Sequence, residues 1–132
     1  MKLKRCSGNK SGQSLVETAL VLPIIILVLL GIIDFGLLFN NYIVITNASR
    51  EASRSAAVGL SDSDISLMVG NLTTTLDQTL LTVTISPSET TRKKGDEVSV
   101  TVEFDNNLLT PLISAIVPNP VHLTARTIMR VE

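Results

Sequence analysis

Two acids and one glycine carry most of the chemistry open to this sequence. Glu17 stands near the start of an otherwise apolar run and Asp34 near its end. Gly12 marks the junction between that run and a basic leader holding Lys2, Lys4, Arg5 and Lys10. A secretory signal ends in small residues after its apolar core. Here the only plausible cleavage point, Gly12-Gln13, comes before the core, so cutting there leaves the hydrophobic segment as the mature N-terminus. Ionisable groups at the edge of hydrocarbon are costly, and they find a partner or mark a functional site.

The element that must position these groups is a membrane-crossing helix. Thr18 to Ile33 is free of charge, and Leu15 to Phe39 supplies the ~20 residues that a helix needs to cross the hydrocarbon layer. Asp34 follows Glu17 by ~25 Å along a helix and belongs near the outer face of the membrane. There it is either an interfacial acid or a contact for a partner subunit. Pro23 removes one backbone hydrogen bond and should kink or loosen the helix. Gly31 and Gly36 open a flat surface for a neighbouring helix, or are simply glycines a membrane helix tolerates. Their spacing of five is not that of GxxxG.

Charge sets the expected orientation. Residues 1–12 hold four Lys/Arg and no acid, whereas residues 13–132 hold seven Lys/Arg against twelve acids, or −5. Basic residues beside an apolar segment stay in the cytoplasm, so the bulk of the chain should face outward. A mildly acidic exterior with few aromatics gives no sign of nucleic-acid binding. Cys6, the only cysteine, excludes an intrachain disulfide and lacks the preceding apolar stretch of a lipoprotein signal. One histidine, His122, on an expected strand, does not make a catalytic set. No metal-ligand cluster or phosphate-binding glycine loop is present, so neither an enzyme nor a cofactor is expected.

Beyond Phe39 the helix should continue, with Tyr42 as an interfacial anchor. Ala48, Ala52 and Ala56 form a thin face for close packing. Arg50 and Arg54 share another face, either solvated or docking a subunit. Gly59 stops the helix. A second helix is expected from Asp62 to about Leu76, capped by Ser61 or Ser63, with Ile65, Met68, Leu72 and Leu76 as its core stripe. The period then turns to alternation. Leu81, Val83 and Ile85 make one half-buried strand, and Val98, Val100, Val102 and Phe104 another. Pro87 to Asp96 between them reads as a mobile, basic loop. Thr110 and Pro111 start a short helix or turn. A last strand runs from Val121 to Val131 with Leu123, Ala125, Met129 and Val131 on one face. The fold class is α+β: a long N-terminal transmembrane helix continuing into a pilin-like outer domain with a small antiparallel sheet. Three strands alone would leave their apolar face wet, so the tail of the long helix must cover it.

The N-terminal segment resembles that of TadE-like proteins, pseudopilin-related subunits of tight-adherence (Flp-type) pilus systems. The matching features are Gly12, Glu17, Ala19-Leu20, Leu22-Pro23, Gly31 and Asp34-Phe35-Gly36, followed by Ala48, Arg50-Glu51-Ala52 and Arg54-Ser55-Ala56. The likeness is strong over roughly residues 11–57, and beyond them only the strand-rich tail is loosely similar. The resemblance implies a prepilin-type peptidase cutting after Gly12, which places Glu17 fifth in the mature chain. It further implies that Glu17 pairs with the free amine of Gln13 on an adjacent subunit, the plainer alternative being an acid snorkelling at the interface. Gln13 departs from the phenylalanine common in type IV pilins, and an N-terminal Gln that cyclises loses that amine.

The expected organisation is therefore a cleaved leader over 1–12, a transmembrane helix over 13–39 and an extracytoplasmic α+β domain over 40–132. The expected protein is a minor pilin or pseudopilin stored in the cytoplasmic membrane, its N-terminus inside. Its expected partners are the prepilin-type peptidase, other pilin or pseudopilin subunits, pilus assembly platform proteins and membrane lipid. The competing expectation is an unprocessed single-pass interaction module that never enters a filament. A mature N-terminus at Gln13 separates the two.

Overall fold

The computed structural model describes residues 10–132; the leader residues Lys2, Lys4, Arg5 and Cys6 lie outside the described residues. One helix, α1 (Lys10–Ala57), runs for 48 residues, or ~72 Å at the rise of an α-helix. After it come α2 (Asp62–Leu72), a 3-10 turn (Gln78–Leu80), β1 (Leu81–Ser86), β2 (Glu97–Asn106), α3 (Pro111–Ser114) and β3 (Val121–Arg130). The strands form an antiparallel sheet in the order β1-β2-β3, with Val83 opposite Val102 and Val102 opposite Ala125. This is the α+β architecture that the change of period from helical to alternating predicts.

The two halves of α1 meet different surroundings. From Leu15 to Phe39 its apolar side chains are almost all exposed, and the helix is long and apolar enough to cross a membrane. From Ile45 onward one face is buried: Ile45, Ala48, Ala52 and Ala56 lie against β2 and β3. The opposing layer is Val98, Val100, Val102 and Phe104 of β2 with Leu123 and Ala125 of β3. The alanines matter because a methyl group keeps the helix close to the sheet. That closeness brings two serines within reach of strand backbone. Ser49 Oγ donates to the Val100 carbonyl at 2.9 Å, and Ser53 Oγ donates to the Thr127 carbonyl at 3.1 Å.

Gly59 ends α1 as its position predicts. It adopts φ +88°, which a side chain would strain. Its N–H goes to Ala56 O and that of Leu60 to Ser55 O, the two bonds of a Schellman cap. The chain's last residue adds another: Glu132 N–H donates to Ala57 O at 3.0 Å. Ser61 caps α2 by accepting from Asp64 N–H, with Asp62 and Asp64 in its first turn.

Three local expectations need correction. Helix α2 ends at Leu72, not Leu76, because Thr73 closes it: its hydroxyl turns back to Val69 O (2.8 Å) and its carbonyl accepts from the Gln78 amide (2.7 Å). The buried face of α2 is accordingly Ile65 and Val69, continued by Thr73 and Leu76, while Leu72 is 47% exposed. The inward face of β3 includes Thr127, a polar residue that the apolar pattern passes over. In the 87–96 loop, expected to be mobile and basic, Arg92 is instead tied inward, its side chain 4% exposed.

Candidate functional site

The residues with assembly chemistry are strung along α1 instead of converging. Gly12 and Arg54 are ~63 Å apart along the helix axis, so no single pocket can join them. At the N-terminal end Gly12, Gln13 and Glu17 are all exposed within α1, and among the described residues nothing outside the helix's own backbone packs against Gly12. Glu17 lines a shallow groove with Ser14, Thr18, Val21, Leu22 and Ile25. Among the described residues its carboxylate has no hydrogen-bond or ion-pair partner. Pro23 sits inside the helix, which continues through it.

Gly31 and Asp34 are the two sequence-identified positions the fold brings together. Both face the connection between β2 and β3. A Cβ built on Gly31 would stand 3.5 Å from Ile113 Cδ1, an ordinary contact. Asp34 is 4% exposed, and its two oxygens accept from the backbone N–H groups of Leu109 (3.3 Å) and Thr110 (3.1 Å). Thr110 is the N-cap of α3, yet its own side chain makes no capping bond. A carboxylate from α1 supplies the acceptor beside that cap instead. Asp34 therefore has a partner within its own chain, where the sequence left it as an interfacial acid or a subunit contact. Gly36 faces open space.

Asn41 carries the same seam upward, its Nδ2 donating to Asn106 Oδ1 (2.7 Å) at the end of β2. Ser49 Oγ also reaches Thr127 Oγ1 at 3.0 Å. From Asp34 through Leu38, Asn41, Ile45, Ala48, Ala52 and Ala56, inward positions recur at three or four residues. That is a helical stripe with polar members. Sequence reasoning missed Asn41, Ser49 and Ser53 because their polarity disguised the stripe, although the spacing itself was there to be read.

Arg50 and Arg54 are exposed. Arg50 lines an open groove with Val44, Asn47, Ala48, Glu51 and Leu72. Arg54 lies in the last turn of α1, where a cation opposes the negative end of the helix dipole. The 87–96 loop turns one of its cations inward. Arg92 pairs with Asp62 at 2.5 Å and donates to the Ala56, Leu60 and Pro87 carbonyls. At the far edge of the sheet, His122 meets Asp105 directly across the β2–β3 ladder. His122 is exposed. Among the described residues there is no cluster of three or more His, Cys, Asp or Glu able to hold a metal.

A family model, described as TadE-like protein, matches residues 12–54. Residues 12–54 are therefore similar to TadE-like proteins. The matched stretch begins at the candidate processing site and ends three residues before α1 does, so what it covers is the long helix and none of the sheet. Neither curated proteins nor solved structures yielded a match. The TadE-like match thus falls on a helix that is long and apolar enough to cross a membrane.

Proposed function

We propose that this chain is a minor pilin or pseudopilin of a tight-adherence pilus system. In this reading a prepilin-type peptidase removes residues 1–12, and residues 13–39 hold the mature protein in the cytoplasmic membrane. Residues 40–132 form the extracytoplasmic domain. The observation that carries it is the coincidence of the TadE-like match with most of α1, from Gly12 to within a turn of the helix end. The exposed, unpartnered state of Glu17 supports the role given to it, pairing with the Gln13 amine of an adjacent subunit. Burying that charge beside hydrocarbon calls for a partner, and the described chain supplies none. Pro23, Gly36, Arg50 and Arg54, all on open faces of α1, are the candidate contacts for other pilin subunits and for platform proteins. The peptidase itself must reach the Gly12-Gln13 bond on the cytoplasmic side.

The test is the N-terminal mass of the protein purified from its native membrane, beside a Gly12→Ala variant. A start at Gln13, lost in the variant, is the expected result. An intact Met1 in a host with an active prepilin peptidase overturns the reading and leaves a single-pass anchored module. Glu17→Gln then separates storage from assembly: the expected outcome is normal membrane levels and processing with loss of pilus output. Undiminished output would remove Glu17 from the assembly role.

A further inference from the structure

The β2–β3 connection has a composition unlike the rest of the region beyond α1. From Asn106 to Val121 it contains no charged residue, and it presents Leu109 at 72% and Ile116 at 82% exposure, with Val117 also exposed. The opposite end of the domain, near the C-terminus of α1, instead carries the charged 87–96 loop. The connection is also fixed in height, because Ile113 lies against Gly31 and Asp34 holds the Leu109 and Thr110 amides. Hydrocarbon ~30 Å thick, measured from Leu15 along α1, ends near Asp34. Two apolar side chains are thus exposed at the level where the helix leaves the bilayer.

Much of its backbone N–H complement is satisfied within the chain. Unsatisfied amides cost several kcal/mol in lipid, which excludes most irregular chain from that environment. Here Pro111, Pro118 and Pro120 have no N–H to satisfy. The amides of Ile113 and Ser114 go to Thr110 O, and those of Ile116 and Val117 go to Ile113 O. Leu108 N–H goes to the Asn119 side chain. The Leu109 and Thr110 donors are taken by Asp34.

We propose that the β2–β3 connection rests in the outer leaflet of the bilayer that α1 crosses, with Leu109 and Ile116 in contact with lipid and Asp34 serving as the acceptor that lets the connection sit there. This rests on the membrane-spanning reading of α1. The outer domain is then held against the membrane surface at two points, the helix and this apolar knuckle. Its orientation is fixed by both. With no charge in the connection, the contact is with acyl chains and needs no anionic headgroup.

The test uses the full chain, with Cys6 replaced by Ser, reconstituted in phosphatidylcholine vesicles. Single variants Leu109→Cys, Ile116→Cys, Val28→Cys and Thr90→Cys carry an environment-sensitive fluorophore. Each is exposed to lipids spin-labelled near the headgroup, to lipids spin-labelled deep in the acyl chain and, separately, to aqueous iodide. The expected result is quenching of the 109 and 116 probes by the shallow spin label, with iodide quenching several-fold weaker than at position 90. Probes at 109 and 116 that iodide reaches freely and the lipid label does not, while position 28 is lipid-quenched, overturn the inference and leave the spanning helix intact. Position 28 unquenched by lipid overturns both. Shielding from iodide without lipid quenching, growing with the protein-to-lipid ratio, assigns the knuckle to a second copy and also overturns it.

Discussion

The Asp34 carboxylate accepts the backbone N–H of Thr110 at 3.1 Å, across a sequence separation of 76 residues. With the bond to Leu109 it ties the last stretch of the apolar helix segment to the turn between the two longest strands. Losing it should free that turn without unfolding the sheet. Asp34→Ala leaves two buried or half-buried donors without an acceptor, a cost of about 1–3 kcal/mol. The expected outcome is faster hydrogen exchange at Leu109 and Thr110 with unchanged protection in β2. Asn at 34 keeps one carbonyl acceptor and should fall between. Exchange at both amides equal to that of the unaltered protein would mean the carboxylate does not hold the turn.

The seam between α1 and the sheet depends on small residues. Ala52 is fully buried, so Ala52→Leu overpacks the contact and should cost about 1–3 kcal/mol. Ser49→Ala removes the hydroxyl bonded to Val100 O and Thr127 Oγ1 and should cost about 1 kcal/mol. Urea unfolding in detergent reads both as lowered midpoints. An Ala52→Leu midpoint at or above that of the parent would place the helix further from the sheet than the structure has it.

Arg92 joins the loop after β1 to the end of α1. Removing its guanidinium leaves Asp62 and the carbonyls of Ala56 and Leu60 without this donor. Asp62 retains solvent access, its side chain being 30% exposed, so Arg92→Met should cost about 1–3 kcal/mol, less than a fully buried pair would. Lys at this position should not restore stability, because one ammonium cannot span several acceptors as the guanidinium fork does. Equal thermal midpoints for Arg and Lys would reduce the contact to simple charge.

Asp77 gives the fold a specific acid response. The Thr79 hydroxyl (2.7 Å) and then the Thr79 N–H (2.9 Å) donate to its Oδ1 and hold its carboxyl below the ordinary 3.8. The folded value is the depressed one, so the stabilisation is present above the unfolded value and fades as pH falls through the folded value. The carboxylate is fully exposed, and the effect on global stability is correspondingly small. A carbon-detected NMR titration should show Asp77 midway below 3.8, moving up in Thr79→Ala. No movement would mean the turn does not depend on this pair.

Much of the fold is local, and local physics is what a sequence displays. The apolar run of α1, the alternation of β1, β2 and β3, and the stop at Gly59 follow from residues within a turn or two of one another. The Ser61 cap follows in the same way. The roles proposed for Gly12 and Glu17 rest on their order along the chain alone. The misreadings have one source. Hydrophobicity is not burial: Leu72 is apolar yet exposed and Thr127 polar yet turned inward, because the faces are decided by where α2 and β3 lie against α1.

By itself the sequence determined a long apolar helix, the change to alternating strands, and the junction at Gly12. Only the tertiary structure decided what the polar residues do. Asp34, Asn41, Ser49, Ser53 and Arg92 each find partners between 4 and 78 residues away, most of them on a different element. A hydrogen-bonding group in a sequence carries no mark saying whether water or a distant amide will satisfy it. That choice is made when the helix closes on the sheet and excludes the water.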